Sequence, residues 1–107
     1  MSKIMRVLPA ARVDITTCFE YLREHSGMPR AWHFIKCLDD SFQRLQQMPL
    51  IGVKRKLPKA RLRNLRQWPV KEFVDYLIFY RVTRNRIDVV RLLHGRRNLA
   101  AIFAERN

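Results

Sequence analysis

One stretch of the chain, residues 70–98, limits the possible folds more than any other. Residues 73–82 form an almost continuous apolar run, rich in aromatic and β-branched side chains, which is typical of a strand covered on both faces. The polar residues 83–86 then break the run, and Asn85 among them tolerates left-handed backbone geometry. A second apolar run covers residues 87–93. The pattern therefore predicts an antiparallel hairpin.

The side chains of this hairpin are expected to alternate between the two faces of a sheet. In the second strand, one face would carry Ile87, Val89, Arg91 and Leu93, and the other Asp88, Val90, Leu92 and His94. In the first strand, Tyr76 and Tyr80 share a face with apolar neighbours, which favours a core or groove-lining role over a catalytic one. The hairpin leads into the polar segment 94–97, so polar chemistry is expected at one end of a rigid sheet.

Two amphipathic helices are predicted ahead of the hairpin. The first begins at Pro9, because the N–H groups of a first helical turn have no partner within the helix and a proline there loses nothing by lacking one. It ends at Ser26 and Gly27. The second begins at Pro29 and ends at Met48. The apolar stripes comprise Ala11, Ile15, Cys18, Phe19 and Leu22 in the first helix, and Ala31, Phe34, Ile35, Leu38, Phe42 and Leu45 in the second. Asp14 and Glu20 fall outside the stripe of the first helix, and Trp32, His33 and Cys37 fall outside that of the second.

The order of these elements predicts an α+β fold. Few residues join the helices, so they should form an antiparallel hairpin that packs on one face of a small twisted antiparallel sheet. Residues 3–8 are expected to form a short edge strand, residues 61–65 another strand, and Trp68-Pro69 a rigid corner before the main hairpin. With 107 residues, the chain is expected to be a single domain, 1–107.

The chain is strongly basic. It has 22 lysines and arginines against 9 acidic residues, which gives a net charge of +13. No acidic residue occurs between Asp40 and Glu72, and basic residues crowd into the segment 54–66. An excess of this size favours an anionic partner, such as nucleic acid or an acidic protein.

The cysteines and histidines predict no bound group. Neither of the two cysteines has an evident second ligand nearby and the three histidines are scattered, so we expect no disulfide scaffold, no metal site and no cofactor. No run approaches the roughly 20 apolar residues that cross a bilayer. Neither helix carries the basic amphipathic face of a membrane-surface helix. The expected compartment is the cytoplasm, with no membrane partner.

Four groups of residues follow one another in a recognisable order. They are Ala11-x-x-Asp14-Ile15 with Tyr21; Phe42-x-x-Leu45-x-x-Met48-Pro49-x-x-Gly52; Leu62-Arg63, Trp68-Pro69-Val70 and Tyr76-Leu77-Ile78-Phe79-Tyr80-Arg81-Val82; and Ile87-x-Val89-x-Arg91-Leu92-Leu93-His94-Gly95-Arg96-Arg97. In this order they resemble the RelE/ParE family of toxins from bacterial type II toxin–antitoxin systems. The resemblance implies the fold described above and a growth-arresting toxin, held inactive in a hetero-oligomer with a cognate acidic antitoxin.

The family has two branches with different targets. Members of the RelE branch are ribosome-dependent endoribonucleases that cut mRNA, whereas members of the ParE branch poison DNA gyrase. Metal-free RNA cleavage needs a base for the 2′-hydroxyl, cations for the phosphate and an acid for the leaving oxygen. For such an RNase, the candidate residues are Lys54, Lys56, Arg81, His94 and Arg97. The RelE branch often has a tyrosine acid six residues after the position of Arg97, but this chain has Phe103, which cannot donate a proton.

The C-terminal residues look more like the ParE branch, which favours a gyrase inhibitor over an RNase. The candidate contacts with the target or the antitoxin are Arg63, Arg66, Arg81, Arg91, Arg96 and Arg97. A basic nucleic-acid-binding module without toxicity is the second alternative, because the net charge supports it equally well. It lacks the support of a helix-turn-helix, zinc or RNP-type motif.

Overall fold

The chain forms two helices and five strands within the residues that the computed structural model describes, which are 3–55, 64–96 and 102. In chain order these elements are β1 (Ile4–Val7), α1 (Pro9–Ser26), α2 (Met28–Gln47), β2 (Val53–Lys54), β3 (Leu65–Val70), β4 (Phe73–Val82) and β5 (Arg86–His94). The strands form one sheet in the order β1-β5-β4-β3-β2, and the two helices pack on it. The predicted α+β class is confirmed.

The predicted hairpin lies at the centre of the sheet. β4 and β5 pair antiparallel from Tyr76 opposite His94 to Val82 opposite Ile87. The Thr83 N–H donates to the Arg86 carbonyl at 2.8 Å and closes the turn. β4 is covered on both faces, because Ile78 and Tyr80 pack in the core beneath the helices and Phe79 packs in a separate cluster on the other face. This explains the near-continuous apolar character of β4.

The first strand pairs in a direction that the sequence did not indicate. β1 lies at the sheet edge as predicted, but it runs parallel to β5, with Ile4 opposite Arg86 and Val7 opposite Val89. A parallel pair needs a long connection, and two helices and three strands separate β1 from β5. The predicted antiparallel sheet is therefore antiparallel in its other three strand pairs and parallel at this edge.

The strand before the hairpin is placed later in the chain than predicted. The predicted strand 61–65 lies outside the described residues except for its last two positions, and β3 begins at Leu65. Trp68 and Pro69 form no corner, because they lie within β3 opposite Ile78 and Leu77. On the side of β3 away from β4, β2 pairs with Arg66 and Gln67 only. Within the described part of the chain, no strand therefore needs the N–H that Pro69 lacks.

A bulge in β5 changes the predicted alternation of side chains. Phe79 pairs with Arg91 but the next residue, Tyr80, pairs with Val89, so Val90 is an extra residue in β5. Leu92 consequently packs in the helix-side core together with Ile87 and Val89, although alternation placed it on the other face. Leu93 packs on the face opposite the helices.

The helical stripes pack as predicted, with one exception. The members of both stripes are buried in the core or packed against it. Cys37, predicted to lie off the stripe, is 1% exposed and belongs to the core. The turn between β3 and β4 covers this flank of α2, since the Lys71 N–H donates to the Ser41 hydroxyl at 2.9 Å and Ser41 itself is buried.

The face of the sheet opposite the helices has a smaller apolar cluster. Leu65, Phe79 and Leu93 are buried there, and Leu77, Val90 and Ile102 pack against them. Among the described residues, no helix has the length and apolar content needed to cross a membrane.

Candidate functional site

A groove of about 340 Å³ lies between α1 and the C-terminal half of β5. Its lining is largely apolar and aromatic and comprises Asp14, Thr17, Cys18, Tyr21, Tyr76, Leu92, Leu93 and His94. We call it the α1–β5 groove. It exists because β1 ends at Val7, opposite Val89, so that among the described residues no strand pairs with the edge of β5 beyond Val89.

Asp14 holds α1 against this uncovered edge of β5. Its carboxylate accepts hydrogen bonds from Arg91 Nε at 2.7 Å, from Arg91 Nη2 at 3.0 Å and from the Leu92 N–H at 2.9 Å. The carboxylate thus replaces a strand partner for the backbone of β5. The side chains of Asp14 and Arg91 are only 10% and 20% exposed. Arg91, a predicted contact residue, therefore fixes the wall of the groove.

Asp14 was not predicted as a site residue, because it falls outside the apolar stripe of the first helix. Asp14 lies three residues after Ala11 and four before Cys18, which is the spacing of neighbours on one helical face. Since the chain has few acidic residues, a single acid at a core-facing position could have indicated a buried ion pair.

Tyr76 and His94 close one end of the groove. Their rings meet edge to face, with centroids 5.1 Å apart, and burial raises the pKa of Tyr76. This contact confirms the groove-lining position predicted for Tyr76. Nδ1 of His94 accepts a hydrogen bond from the Arg96 N–H at 3.1 Å. Arg96 is exposed immediately beyond the end of β5.

A second polar feature, which we call the Asp88 cluster, consists of Asp88 with Arg6 and Arg86. Asp88 lies opposite Arg6 of β1 on one side and opposite Arg81 of β4 on the other. Asp88 is 3% exposed and accepts a hydrogen bond from Arg86 Nε at 2.8 Å. Arg6 Nε forms an ion pair with it at 3.3 Å, and Arg81 is its register partner in β4. Burial alone would raise the pKa of Asp88, but the Arg86 hydrogen bond and the Arg6 charge outweigh burial, so its pKa lies below the usual value. Two guanidinium groups, those of Arg6 and Arg86, contact the one carboxylate, so this part of the sheet carries a net positive charge.

At the opposite edge of the sheet, Arg66 supports the backbone that precedes β2. Arg66 donates to the carbonyls of Leu50 and Gly52 at 3.2 and 2.8 Å. The Tyr80 hydroxyl accepts from the Gly52 N–H and donates to the Pro49 carbonyl, each at 2.8 Å, which confirms the core role predicted for Tyr80. Lys54 lies opposite Arg66 on β2.

The candidate residues for an RNase do not converge among the described residues. His94 contacts Tyr76 at one end of β4, whereas Arg81 lies five residues further along that strand, about 17 Å away at about 3.3 Å per residue. His94 and Arg81 also lie on different faces of the sheet. Tyr76, the partner of His94, and Tyr80 pack with the core beneath the helices, and Arg81, the residue after Tyr80, points to the other face. The remaining predicted site residues Lys56, Arg63 and Arg97 lie outside the described residues.

One cluster contains the ligand types of a metal site. His33 and Cys37, one turn apart in α2, meet Glu72 from the turn between β3 and β4, and their ligand atoms all lie within 4.8 Å of one another. The expectation that neither cysteine has a second ligand nearby is therefore wrong for Cys37. Spacing within the helix gives the His–Cys pair, but Glu72 comes from a distant part of the sequence and only the fold brings it close.

Comparison with known proteins gives a family and a fold. The family model described as the ParE toxin of the type II toxin–antitoxin system, parDE, matches residues 5–99. A solved structure described as the chromosomal ParDE toxin–antitoxin system from P. aeruginosa superposes with a TM-score of 0.70, at 15% identity, over 87% of this chain and 96% of that chain. At this identity the second likeness concerns the fold. No curated protein sequence gives a significant match.

Proposed function

The chain belongs to the ParE toxin family of type II toxin–antitoxin systems, and from this membership we propose that it arrests growth by inhibiting DNA gyrase. We propose further that a cognate acidic antitoxin neutralises it in the cytoplasm. The match of the ParE family model over residues 5–99 carries the proposal, because it covers nearly the whole chain, including the central hairpin and both helices.

The positions of the candidate catalytic residues support an inhibitor over an RNase. RNA cleavage needs a base, an acid and phosphate-binding cations around a single phosphate. Arg81 and His94 lie on opposite faces of β4–β5 and near opposite ends, so they cannot serve one phosphate together. An inhibitor that binds its target needs only an exposed surface of suitable shape and charge.

Two features support the antitoxin partner. The α1–β5 groove offers apolar and aromatic side chains to an amphipathic segment, and it borders the uncovered edge of β5. The net charge of +13 would be reduced by acidic residues on that partner. An antitoxin that fills the groove and lies over the basic residues around it would block the surface that meets the target.

The test is a supercoiling assay with purified gyrase and the full-length chain. We expect inhibition by the wild type, and Arg96→Glu should weaken it roughly fivefold, the equivalent of about 1 kcal/mol for an exposed ion pair. Arg96 is suitable because its side chain is exposed beyond the end of β5. Lys36→Glu is the matched control, since it makes the same charge change at an exposed position on α2 and should leave inhibition unchanged.

Pulse labelling of cells after induction of the chain alone separates the two targets. An early fall in thymidine incorporation, with methionine incorporation persisting, is the expected result. An early fall in methionine incorporation, together with no effect of the chain on gyrase, would contradict the proposal and favour mRNA cleavage. Affinity for nucleic acid that falls steeply with salt, without growth arrest, would favour the simple binding module.

A further inference from the structure

We propose that His33, Cys37 and Glu72 form a zinc-binding site on the flank of α2, in addition to the toxin surfaces described above. The three residues supply an imidazole, a thiolate and a carboxylate, which together are a typical zinc ligand set. Calcium and magnesium prefer oxygen ligands alone, so a thiolate and an imidazole disfavour them.

The distances suit a tetrahedral ion. His33 Nε2 lies 3.6 Å from Cys37 Sγ. Zn–S and Zn–N bonds of about 2.3 and 2.1 Å at the tetrahedral angle separate the two ligand atoms by about 3.6 Å. His33 Nε2 lies 3.0 Å from Glu72 Oε1, so a bound ion would widen this pair by a few tenths of an ångström. The Glu72 side chain is 55% exposed and can rotate to make that adjustment.

Secondary structure fixes two of the three ligands. His33 and Cys37 are four residues apart in α2, which brings their side chains to the same helical face. Cys37 is 1% exposed and packs in the core, while the His33 side chain is 42% exposed. The ion would therefore rest on a rigid sulfur at the edge of the core, with its fourth position open to water.

The backbone at Glu72 is an independent sign that this side chain is held there for a purpose. Glu72 has a φ of 64°, in the two-residue turn between Val70 and Phe73, where glycine or asparagine is usual. A non-glycine residue in this conformation costs about 1–3 kcal/mol, and such positions occur preferentially at functional sites. Glycine would relieve the strain, but it would remove the carboxylate.

The local charge also suits a divalent cation. With Cys37 deprotonated, the thiolate and the Glu72 carboxylate supply two negative charges on a chain whose net charge is strongly positive. The hydrogen bond from His33 lowers the pKa of Glu72 and favours its charged form, whereas burial raises the pKa of the Cys37 thiol, so zinc must displace the thiol proton. On binding, that proton would pass to solvent. His33 would carry its own proton on Nδ1, so that Nε2 gives up its hydrogen bond to Glu72 and bonds zinc.

Cobalt substitution tests the site directly in the untagged full-length chain, kept reduced and free of other metals. We expect a thiolate-to-cobalt charge-transfer band that zinc abolishes by competition, and a melting temperature that rises with zinc concentration. Cys37→Ser should abolish the band. Cys18→Ser is the matched control, because Cys18 lines the α1–β5 groove and should leave the band intact.

Glu72→Gly separates metal binding from folding. It should lower zinc affinity by at least about tenfold, while the melting temperature of the metal-free protein stays equal or rises because the φ of 64° suits glycine. Absence of the cobalt band in the wild type would overturn the site. A band that survives Cys37→Ser, or zinc affinity unchanged in Glu72→Gly, would equally overturn the three-ligand arrangement.

Discussion

Asp14 receives three hydrogen bonds, two from the Arg91 guanidinium and one from the backbone of β5, and it is nearly buried. Removing the carboxylate would leave the Leu92 N–H and the Arg91 charge without their partner, and each such group costs free energy when water cannot replace the lost contact. We therefore expect Asp14→Ala to lower the free energy of unfolding by about 2–3 kcal/mol. Urea denaturation of the two proteins measures the difference.

Two further variants show whether this loss belongs to the ion pair. Asp14→Asn keeps an oxygen for the Leu92 N–H but loses the paired charge, so it should fall between the wild type and Asp14→Ala. Asp39→Ala is the control, because Asp39 is exposed on α2 and interacts with Gln43 one turn away, and it should change stability by less than about 0.5 kcal/mol. Equal losses in Asp14→Ala and Asp39→Ala would contradict the role given to Asp14.

Asp88 links β1 to β5, since Arg6 comes from the first strand and Arg86 from the last. Its pKa is lower in the folded chain than the ordinary value of 3.8. A group with a lowered folded pKa stabilises the protein above its unfolded pKa, and this contribution is lost as the pH falls below 3.8 and through the folded pKa. Asp88→Asn should therefore lower the free energy of unfolding by about 1–3 kcal/mol at neutral pH, and the difference should shrink in acid.

Urea denaturation at several pH values checks this behaviour. Asp75→Asn provides the control, because Asp75 is exposed on β4 and its variant should follow the wild-type curve. A difference between Asp88→Asn and the wild type that is as large in acid as at neutral pH would show that shape and not charge matters at this position.

The predictions for individual elements succeeded where local patterns decide the structure. Prolines and glycine placed the ends of α1 and α2 within one or two residues, and the apolar run gave β4. The parallel pairing of β1 could not be predicted, because it depends on a partner more than eighty residues away. The bulge at Val90 also left no local signal, so the residues beyond Val90 were assigned to the wrong faces.

The same distinction applies to the candidate sites. Tyr76 could be placed in a groove from its strand parity alone, whereas the partner of Arg91 was missed because Asp14 lies 77 residues away. Glu72 likewise meets Cys37 only through the packing of the β3–β4 turn on α2. Sequence periodicity predicts which side chains of a helix or strand face the core. Contacts between polar residues that are distant in sequence depend on how the elements pack, which periodicity does not predict.

Across the whole molecule, the net charge and the groove should control different steps of antitoxin binding. The net charge of +13 attracts an acidic partner over long distances, and salt screens this attraction. The α1–β5 groove lies between packed elements and would retain the partner through short-range contacts. We therefore expect added salt to lower the association rate far more than it raises the dissociation rate.

A bulky side chain in the groove should change mainly the dissociation rate of the antitoxin. Thr17 is exposed and lines the α1–β5 groove, so Thr17→Trp should fill it and raise the dissociation rate by about tenfold or more, with little change in the association rate. Thr16→Trp is the matched control, since Thr16 is the preceding exposed residue of α1 and bonds to the Arg12 carbonyl outside the groove. Surface plasmon resonance with the cognate antitoxin measures both rates. Dissociation that is equally fast in both variants, or unchanged in Thr17→Trp, would place the antitoxin elsewhere, and the basic surface around Asp88 would then be the next to substitute.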